Sequence, residues 1–229
     1  MVVGQEKLEE CKNNLINFIK MNYDQCKSCR RAGQKLFLKG SRCLSGKCAF
    51  ARNSNTPGPA RKRKGGGMSD YKKSLQEKQA LKKWYGLSEK QFKAYVQEAL
   101  AKMGKVENIS SELIKELEKR LDNVIFRSGF ADSRPNARQM VSHGHFVVNG
   151  KPVNIPSYNV KKGDVISVKE SKRKKNMFKN VSEILKRKEA PVWLSLNKEK
   201  MEVKTIGDPD LLEVNPPAEI SLIFEFYSR

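Results

Sequence analysis

Between Cys26 and Gly67 this chain carries no Asp or Glu, while the same stretch holds 12 Lys and Arg. A segment that one-sided points to a polyanionic partner. No apolar run approaches the ~18 residues needed to span a bilayer, and no lipidation motif stands at either end, so nucleic acid outranks an anionic membrane. Histidine is scarce: His143 and His145 are the two in 229 residues. With no Walker-type phosphate loop and no Gly-x-Ser-x-Gly elbow either, the usual catalytic constellations are missing. Residues 1–25 lack an apolar h-region and contain Glu6, Glu9, Glu10 and Asp24. The expectation is a chain without a secretory signal, whose thiols stay reduced.

The cysteines that are present are clustered. Cys26, Cys29, Cys43 and Cys48 read C-x2-C-x13-C-x4-C inside the acid-free stretch. A Cys-x2-Cys loop lets two thiolates converge on one tetrahedral ion, and a second pair around the Leu44-Ser45-Gly46-Lys47 turn completes an all-sulfur shell with no open position. A closed shell is structural. The expectation is one zinc stapling a module whose apolar residues, Leu36, Phe37, Leu38, Leu44 and Phe50, are too few to fold it alone. Metal-free thiols and two disulfides are the rival readings, and zinc-binding DNA readers share a similar half-site. Cys11 is left over and reads as a small buried hydrophobe. Around the metal, Arg30, Arg31, Lys35, Arg42, Lys47 and Arg52 are the candidate phosphate contacts.

At 229 residues and 26.1 kDa the chain is long enough for one large or two small domains. Its net charge of +21 and pI near 9.8 exceed what solubility requires. The ends do not share that charge: residues 1–25 sum to −1 and residues 195–229 to −3. The middle is therefore the binding surface. Leu8, Cys11, Leu15 and Phe18 give residues 1–25 the spacing of a short amphipathic helix. Asn53 to Gly67 is a Pro- and Gly-rich linker, and its run Arg61, Lys62, Arg63 and Lys64 reads as an extended arm ordered by an anionic partner.

From residue 69 the pattern is helical. Ser69 and Asp70 cap a segment carrying Leu75, Leu81 and Trp84, and Ser88 with Gln91 forms a capping-box signature. Phe92, Tyr95, Val96, Ala99, Leu100 and Met103 then fall on one stripe. A third helix is expected from Ser110 or Ser111 through Leu113, Leu117, Leu121 and Val124. Lys72, Lys82 and Lys83 project from these helices as candidate phosphate contacts, with a solvated face as the plain reading. Ser133 caps a short helix with Pro135 in its first turn and Ala137, Met140 and Val141 inside. Phe146-Val147-Val148 meets Asn149-Gly150, the strongest short hairpin signal. Val153-Asn154-Ile155, Tyr158 to Val160, a Lys162-Gly163-Asp164 turn and the strand Val165 to Val168 follow. A helix over Met177 to Leu185 and strands at Val192 to Leu196 and Ile220 to Phe226 complete an α+β fold.

Arg134 and Arg138 lie four apart on the helix opened by Ser133 and are expected to project together, away from its apolar positions. With His143, His145 and Lys151 they form a candidate cationic surface along the phosphates bordering an RNA groove. The two histidines have a plain alternative as helix terminators.

Residues 120–168, RLDNVIFRSGFADSRPNARQMVSHGHFVVNGKPVNIPSYNVKKGDVISV, resemble the RNA-binding domain named after small-subunit ribosomal protein four, which some pseudouridine synthases and tyrosyl-tRNA synthetases share. CKSCRRAG, KLFLKGSRC, YKKSLQEKQALKKWYGLSEKQFK, WLSLN and the terminal EFYSR widen the resemblance to residues 26–229 and to the bacterial small-subunit (30S) ribosomal protein four family, in its zinc-binding variant. That resemblance implies an extension (1–25), an N-terminal four-Cys zinc module (26–52) and a basic linker (53–67). It further implies an all-helical domain, 68–112 plus about 203–229, and an inserted RNA-binding domain of helices packed on a small antiparallel sheet, 113–202. The implied function is a cytoplasmic, ribosomal and non-enzymatic one: binding small-subunit rRNA, nucleating subunit assembly and supporting translational accuracy. Neighbouring small-subunit ribosomal proteins are implied partners, as is mRNA where it enters the subunit; some members also repress their own mRNA. Pro57-Gly58-Pro59-Ala60 departs from the His that many members have after the Pro-Gly. Some members lack the cysteines, which suits zinc as scaffold.

Two other function classes stay open at this point. Arg120-Leu121-Asp122 matches the tripeptide around the catalytic Asp of pseudouridine synthases, yet it lies on an amphipathic helix with no catalytic domain around it. A zinc-dependent nucleic-acid-binding regulator is the other.

Overall fold

A computed structural model describes residues 25–58, 69–173, 178, 185 and 190–228. The amphipathic helix and Cys11 of residues 1–24, the arm Arg61 to Lys64 and most of the helix expected over Met177 to Leu185 lie outside the described residues. The chain divides into two compact units, Met1–Gly67 and Met68–Arg229.

In the first unit residues 25–32 are helical, Gly33 turns the chain at φ 72°, and two single-turn helices follow, α1 (Ser41–Leu44) and α2 (Ala49–Arg52). Among its described residues the buried apolar side chains are Leu36 and Leu38 with Cys29, Cys43 and Cys48. Burying a leucine contributes about 1.5–3 kcal/mol, whereas ordering each residue costs about 1–2 kcal/mol in backbone entropy. Two leucines do not hold such a segment together.

The second unit opens with α3 (Asp70–Trp84), α4 (Glu89–Ala101) and α5 (Ile109–Glu118). The capping box of α4 forms as the sequence predicts: Ser88 Oγ accepts from Gln91 N, and Gln91 Oε1 accepts from Ser88 N. Ser69 sits at the N-cap of α3 without a side-chain bond. α5 begins earlier than expected, because Asn108 Oδ1 accepts from the backbone of both Ser110 and Ser111. Leu81, Phe92, Val96, Leu113 and Leu117 are fully buried in one helical cluster.

That third helix does not continue to Val124. Arg120, at φ −65° and ψ 137°, interrupts it, and α6 (Leu121–Ser128) starts afresh until Gly129 ends it at φ 91°. The break carries α6 into a second apolar cluster with α7 (Arg134–Ser142) and an antiparallel sheet. Its strands are β1 (Phe146–Val148), β2 (Lys151–Val153) and β3 (Val165–Val168), then, after the short helix α8 (Glu170–Arg173), β4 (Leu194–Asn197) and β5 (Glu202–Thr205). Their order is β2-β1-β3-β5-β4. Asn149 and Gly150 both take positive φ, 48° and 78°, as a two-residue hairpin turn demands. The chain returns through α9 (Leu211–Val214) and α10 (Ile220–Ser228) to the helical cluster.

The C-terminal run Ile220 to Phe226 is thus helix and not the strand expected from the sequence. Ser221 and Glu225 fall four apart, a helical spacing that a run this short shows only once, and Ile220 and Ile223 pack with the helical cluster. Asn154 and Ile155 fall beyond β2, and Tyr158 to Val160 contributes only an isolated bridge between Asn159 and Arg120. Leu113, Ile114 and Leu117, assigned by sequence to the inserted domain, pack with the helices, while Val203, assigned to the helical domain, packs with the sheet.

A buried polar hub joins the two clusters. Arg127 grips fully buried Glu118 with two bonds of 2.9 Å, Tyr85 Oη donates to it at 2.9 Å, and Asn123 Nδ2 donates as well. Arg134 Nε donates to Asn123 Oδ1 at 2.7 Å, and its guanidinium lies 3.8 Å over the Trp84 ring. Burial draws Arg134 down to about 10, against the pull of Glu118 and Tyr85 in the other direction. A second tie is Arg120, which donates to Asp122 at 3.1 and 2.7 Å and to Tyr95 Oη at 2.9 Å. Charges this deep persist only where each is paired. Farther along, Glu89 accepts from Lys78, Lys82 and Tyr227 at 2.6, 2.7 and 2.9 Å, fastening α10 onto α3 and α4.

Candidate nucleic-acid interface

Cys26, Cys29, Cys43 and Cys48 line one small cavity of about 10 Å³, together with Leu38 and Phe50. That is about the room of one water-sized sphere. The backbone is turned toward the sulfurs: Lys39 N donates to Cys43 Sγ at 3.4 Å, Leu36 N–H donates to Cys29, and Ala51 and Phe50 N–H donate to Cys48. Burial pushes the Cys29 and Cys43 thiols up, and each is raised further by the other cysteines, while the Ala51 bond heads the causes that lower Cys48. All four are free thiols, which sets the two-disulfide reading aside. Among the described residues no three or more His, Cys, Asp or Glu side chains close into a ready-made ligand cluster. The donor set nonetheless suits a soft, tetrahedral cation: four sulfurs around one cavity, with N–H groups placed to stabilise thiolates.

Around this cavity the cations face outward. Arg31, Lys35, Arg42, Lys47 and Arg52 are exposed. Arg30 is partly covered and its Nε is held by the Asn55 carbonyl at 2.7 Å. The stretch from Cys26 to Gly67 itself contains no carboxylate to neutralise these cations.

In the second unit the structure redraws the expected surface. Lys72 and Lys83 are exposed, but Lys82 is buried against Glu89 and is no longer a free cation. Arg134, expected to point outward with Arg138, is 8% exposed inside the hub. The reason lies in α6, which brings Asn123 and Phe126 to meet the guanidinium from one side as Trp84 meets it from the other. Arg138 is half-buried, 3.7 Å from Asp122. His145 is buried edge-on against Phe178, a core side chain, while His143 remains exposed. Lys151 is exposed on β2.

The sequence reading took Lys161 and Lys162 only as turn residues. Both are exposed, and the turn is locked to the β1–β2 hairpin by Asn149, whose Nδ2 donates to Asp164 at 2.8 Å and whose Oδ1 accepts from Val165 N at 2.9 Å. Lys151, at the start of β2, therefore stands beside the turn that carries Lys161 and Lys162, and the Lys-Lys pair before Gly163 was the available signal. Asp122 is 5% exposed and paired with Arg120, so it has neither the access nor the freedom of a catalytic acid. Among the described residues no helix is long and apolar enough to cross a membrane.

Comparison with known proteins agrees with this division. Residues 20–118 match the ribosomal protein S4/S9 N-terminal domain family, and residues 119–166 match the S4 domain family. The change from one to the other falls at the junction where the core changes, beside Arg120. The chain is 48% identical over 205 residues to small ribosomal subunit protein uS4 of Halothermothrix orenii, covering 89% of this chain and 96% of that one. It is 46% identical over 205 residues to the uS4 of a Thermoanaerobacter species, with the same coverage of both chains. It is 47% identical over 208 residues to uS4A of Clostridium novyi, again with 89% and 96% covered. With identity this high over nearly the full length of each relative, the chain belongs to the uS4 family of small ribosomal subunit proteins.

Proposed function

We propose that this protein binds small-subunit rRNA with two cationic faces and acts as an early scaffold of subunit assembly. As a uS4 family member it is a structural constituent of the small ribosomal subunit and not an enzyme. The observation that carries the RNA reading is the acid-free stretch from Cys26 to Gly67, where Arg31, Lys35, Arg42, Lys47 and Arg52 are exposed beside a thiol-lined cavity. Lys72 and Lys83, and the turn cations Lys151, Lys161 and Lys162 with His143, supply the second face. A-form RNA offers such faces its phosphates and shape.

In this reading Cys26, Cys29, Cys43 and Cys48 hold one zinc, which supplies a rigid cross-link and no reaction. The thin local core and the N–H groups aimed at the sulfurs support it. The ordered module then presents its cations at fixed spacing. Neighbouring small-subunit proteins complete the partner set, and contact with entering mRNA, or repression of its own message, belongs to the same basic surface.

The experiment is a titration of in vitro transcribed small-subunit rRNA at several salt concentrations, with metal analysis on the same protein. Each phosphate contact contributes roughly 0.7–0.9 to the log–log slope, so Lys35→Gln with Arg42→Gln should flatten it. An unchanged slope would remove these side chains from the interface. One zinc per chain is expected, and full zinc in the Cys29→Ser, Cys48→Ser double variant would overturn the metal assignment.

A further inference from the structure

We propose that Phe37 is a stacking platform for an unpaired nucleobase, resting on the rRNA-binding reading above and adding to it a contact that does not depend on charge. Phe37 is 45% exposed between two residues that are not: Leu36 is 1% and Leu38 7% exposed. Its backbone is left-handed at φ 51°, a conformation that aromatic residues adopt only under constraint. The constraint is visible. Leu36 N–H donates to Cys29, and Lys39 N donates to Cys43 Sγ, so the loop is pinned at both ends to the thiol-lined core. Both leucines are buried, Leu38 against the thiol cavity, and residue 37 between them is left at the surface.

Strain of this kind persists where the surroundings over-determine it, and it collects at binding sites. An ordinary loop would place a polar residue or Gly here. Instead a flat apolar ring is held in solvent with exposed Lys35 two residues before it and Arg42 in the following helical turn, in a segment with no carboxylate. An aromatic face among cations is the arrangement by which proteins take splayed-out bases of single-stranded RNA: the cations hold the backbone and the ring receives the base. Every base has a face to stack, so the contact selects unpaired over paired nucleotides and not one sequence over another.

The test uses the full chain and in vitro transcribed small-subunit rRNA. Phe37→Leu keeps the apolar volume and loses the ring face, and its affinity should fall about 5- to 150-fold, the range that one base–aromatic stack spans. The salt slope should stay at the wild-type value, since no phosphate contact is lost. Phe37→Trp should bind as tightly as wild type, with the added indole emission quenched by the rRNA and not by a fully duplexed RNA. Phe37→Gly relieves the left-handed strain, so it should weaken rRNA binding while leaving the free chain at least as stable to heat. A Phe37→Leu chain that binds like wild type, added emission in Phe37→Trp that the rRNA leaves unchanged, or a Phe37→Gly chain that melts earlier overturns the inference alone. A wild-type chain that fails to bind the rRNA overturns the functional reading and this one with it.

Discussion

Replacing Arg134 by Ala measures how firmly the polar hub joins the two halves of the second unit. The side chain is 8% exposed, donates to Asn123 at 2.7 Å, lies 3.8 Å over Trp84 and 4.5 Å over Phe126, and comes within 3.7 Å of Glu118. A hydrogen bond involving a charged group contributes about 1.5–3 kcal/mol and a desolvated cation–π contact about 2 kcal/mol. The two share one side chain and do not simply add. Removing one partner of a buried ionic cluster costs about 3–5 kcal/mol, because the others are left desolvated. Arg127 still neutralises Glu118 in the variant, which places the expected loss near the lower end, about 3 kcal/mol. Arg138→Ala is the control, with a 34% exposed side chain 3.7 Å from Asp122 and an expected effect of about 0–1 kcal/mol. Urea denaturation followed by tryptophan emission reads both. The chain has two tryptophans, and a Trp193→Phe background leaves the signal to Trp84, beneath the guanidinium. The midpoint should fall with little change in slope. If Arg134→Ala unfolds within about 0.5 kcal/mol of Arg138→Ala, the scale of an ordinary surface change, the hub does not bind the halves together. Arg134→Glu, which sets a second carboxylate beside Glu118, should be worse than Ala, and any loss of RNA affinity it causes should track unfolding.

Three further outcomes follow from the geometry. Burial raises the Glu89 carboxyl, but bonds from Lys78, Lys82 and Tyr227 outweigh it and bring the group from 4.5 to about 2. Its stabilisation is therefore present above about pH 4.5 and lost as pH falls through about 2, and the gap in melting temperature between wild type and Glu89→Gln should close over that window. Ile223→Ala, at a fully buried position of α10, should cost about 2–5 kcal/mol in chemical denaturation, and a negligible loss would detach the C-terminal helix from the core. Gly150→Ala meets no heavy atom within 4 Å, so only its φ of 78° opposes the change; a penalty of about 1–2 kcal/mol is expected, and thermal melting that shows none would contradict the hairpin turn.

Local chemistry made much of this fold legible. The Ser88/Gln91 box, Ser133 with its bond from Asn136 N, and the Asn149-Gly150 turn are each decided by side chains within a few residues, and each formed as read. What needed distant partners was not legible. Arg134 has a surface-like spacing with Arg138, and its burial rests on Asn123 and Phe126 of α6 together with Trp84 from fifty residues earlier. In Ile220 to Phe226 the helical signal is only the pair Ser221 and Glu225, four apart, and β5 has one large apolar residue, Val203, in four. The cationic faces divided similarly: the acid-free stretch from Cys26 to Gly67 could be read from composition, whereas the pairing of Lys82 with Glu89 could not. Phe37 looked like core because a sequence does not display a positive φ.

The sheet has two rims, and the β2 rim bears on the life of the protein before it meets RNA. An unpaired strand edge is a template on which a second copy can add its own strand. On β2 the three residues are Lys151, Pro152 and Val153, with Pro152 opposite Val147. Proline has no amide proton to offer an incoming strand, and the lysine beside it repels a like-charged neighbour. A chain with a net charge of +21 made ahead of its polyanion thus has this rim of its sheet closed to self-templated growth.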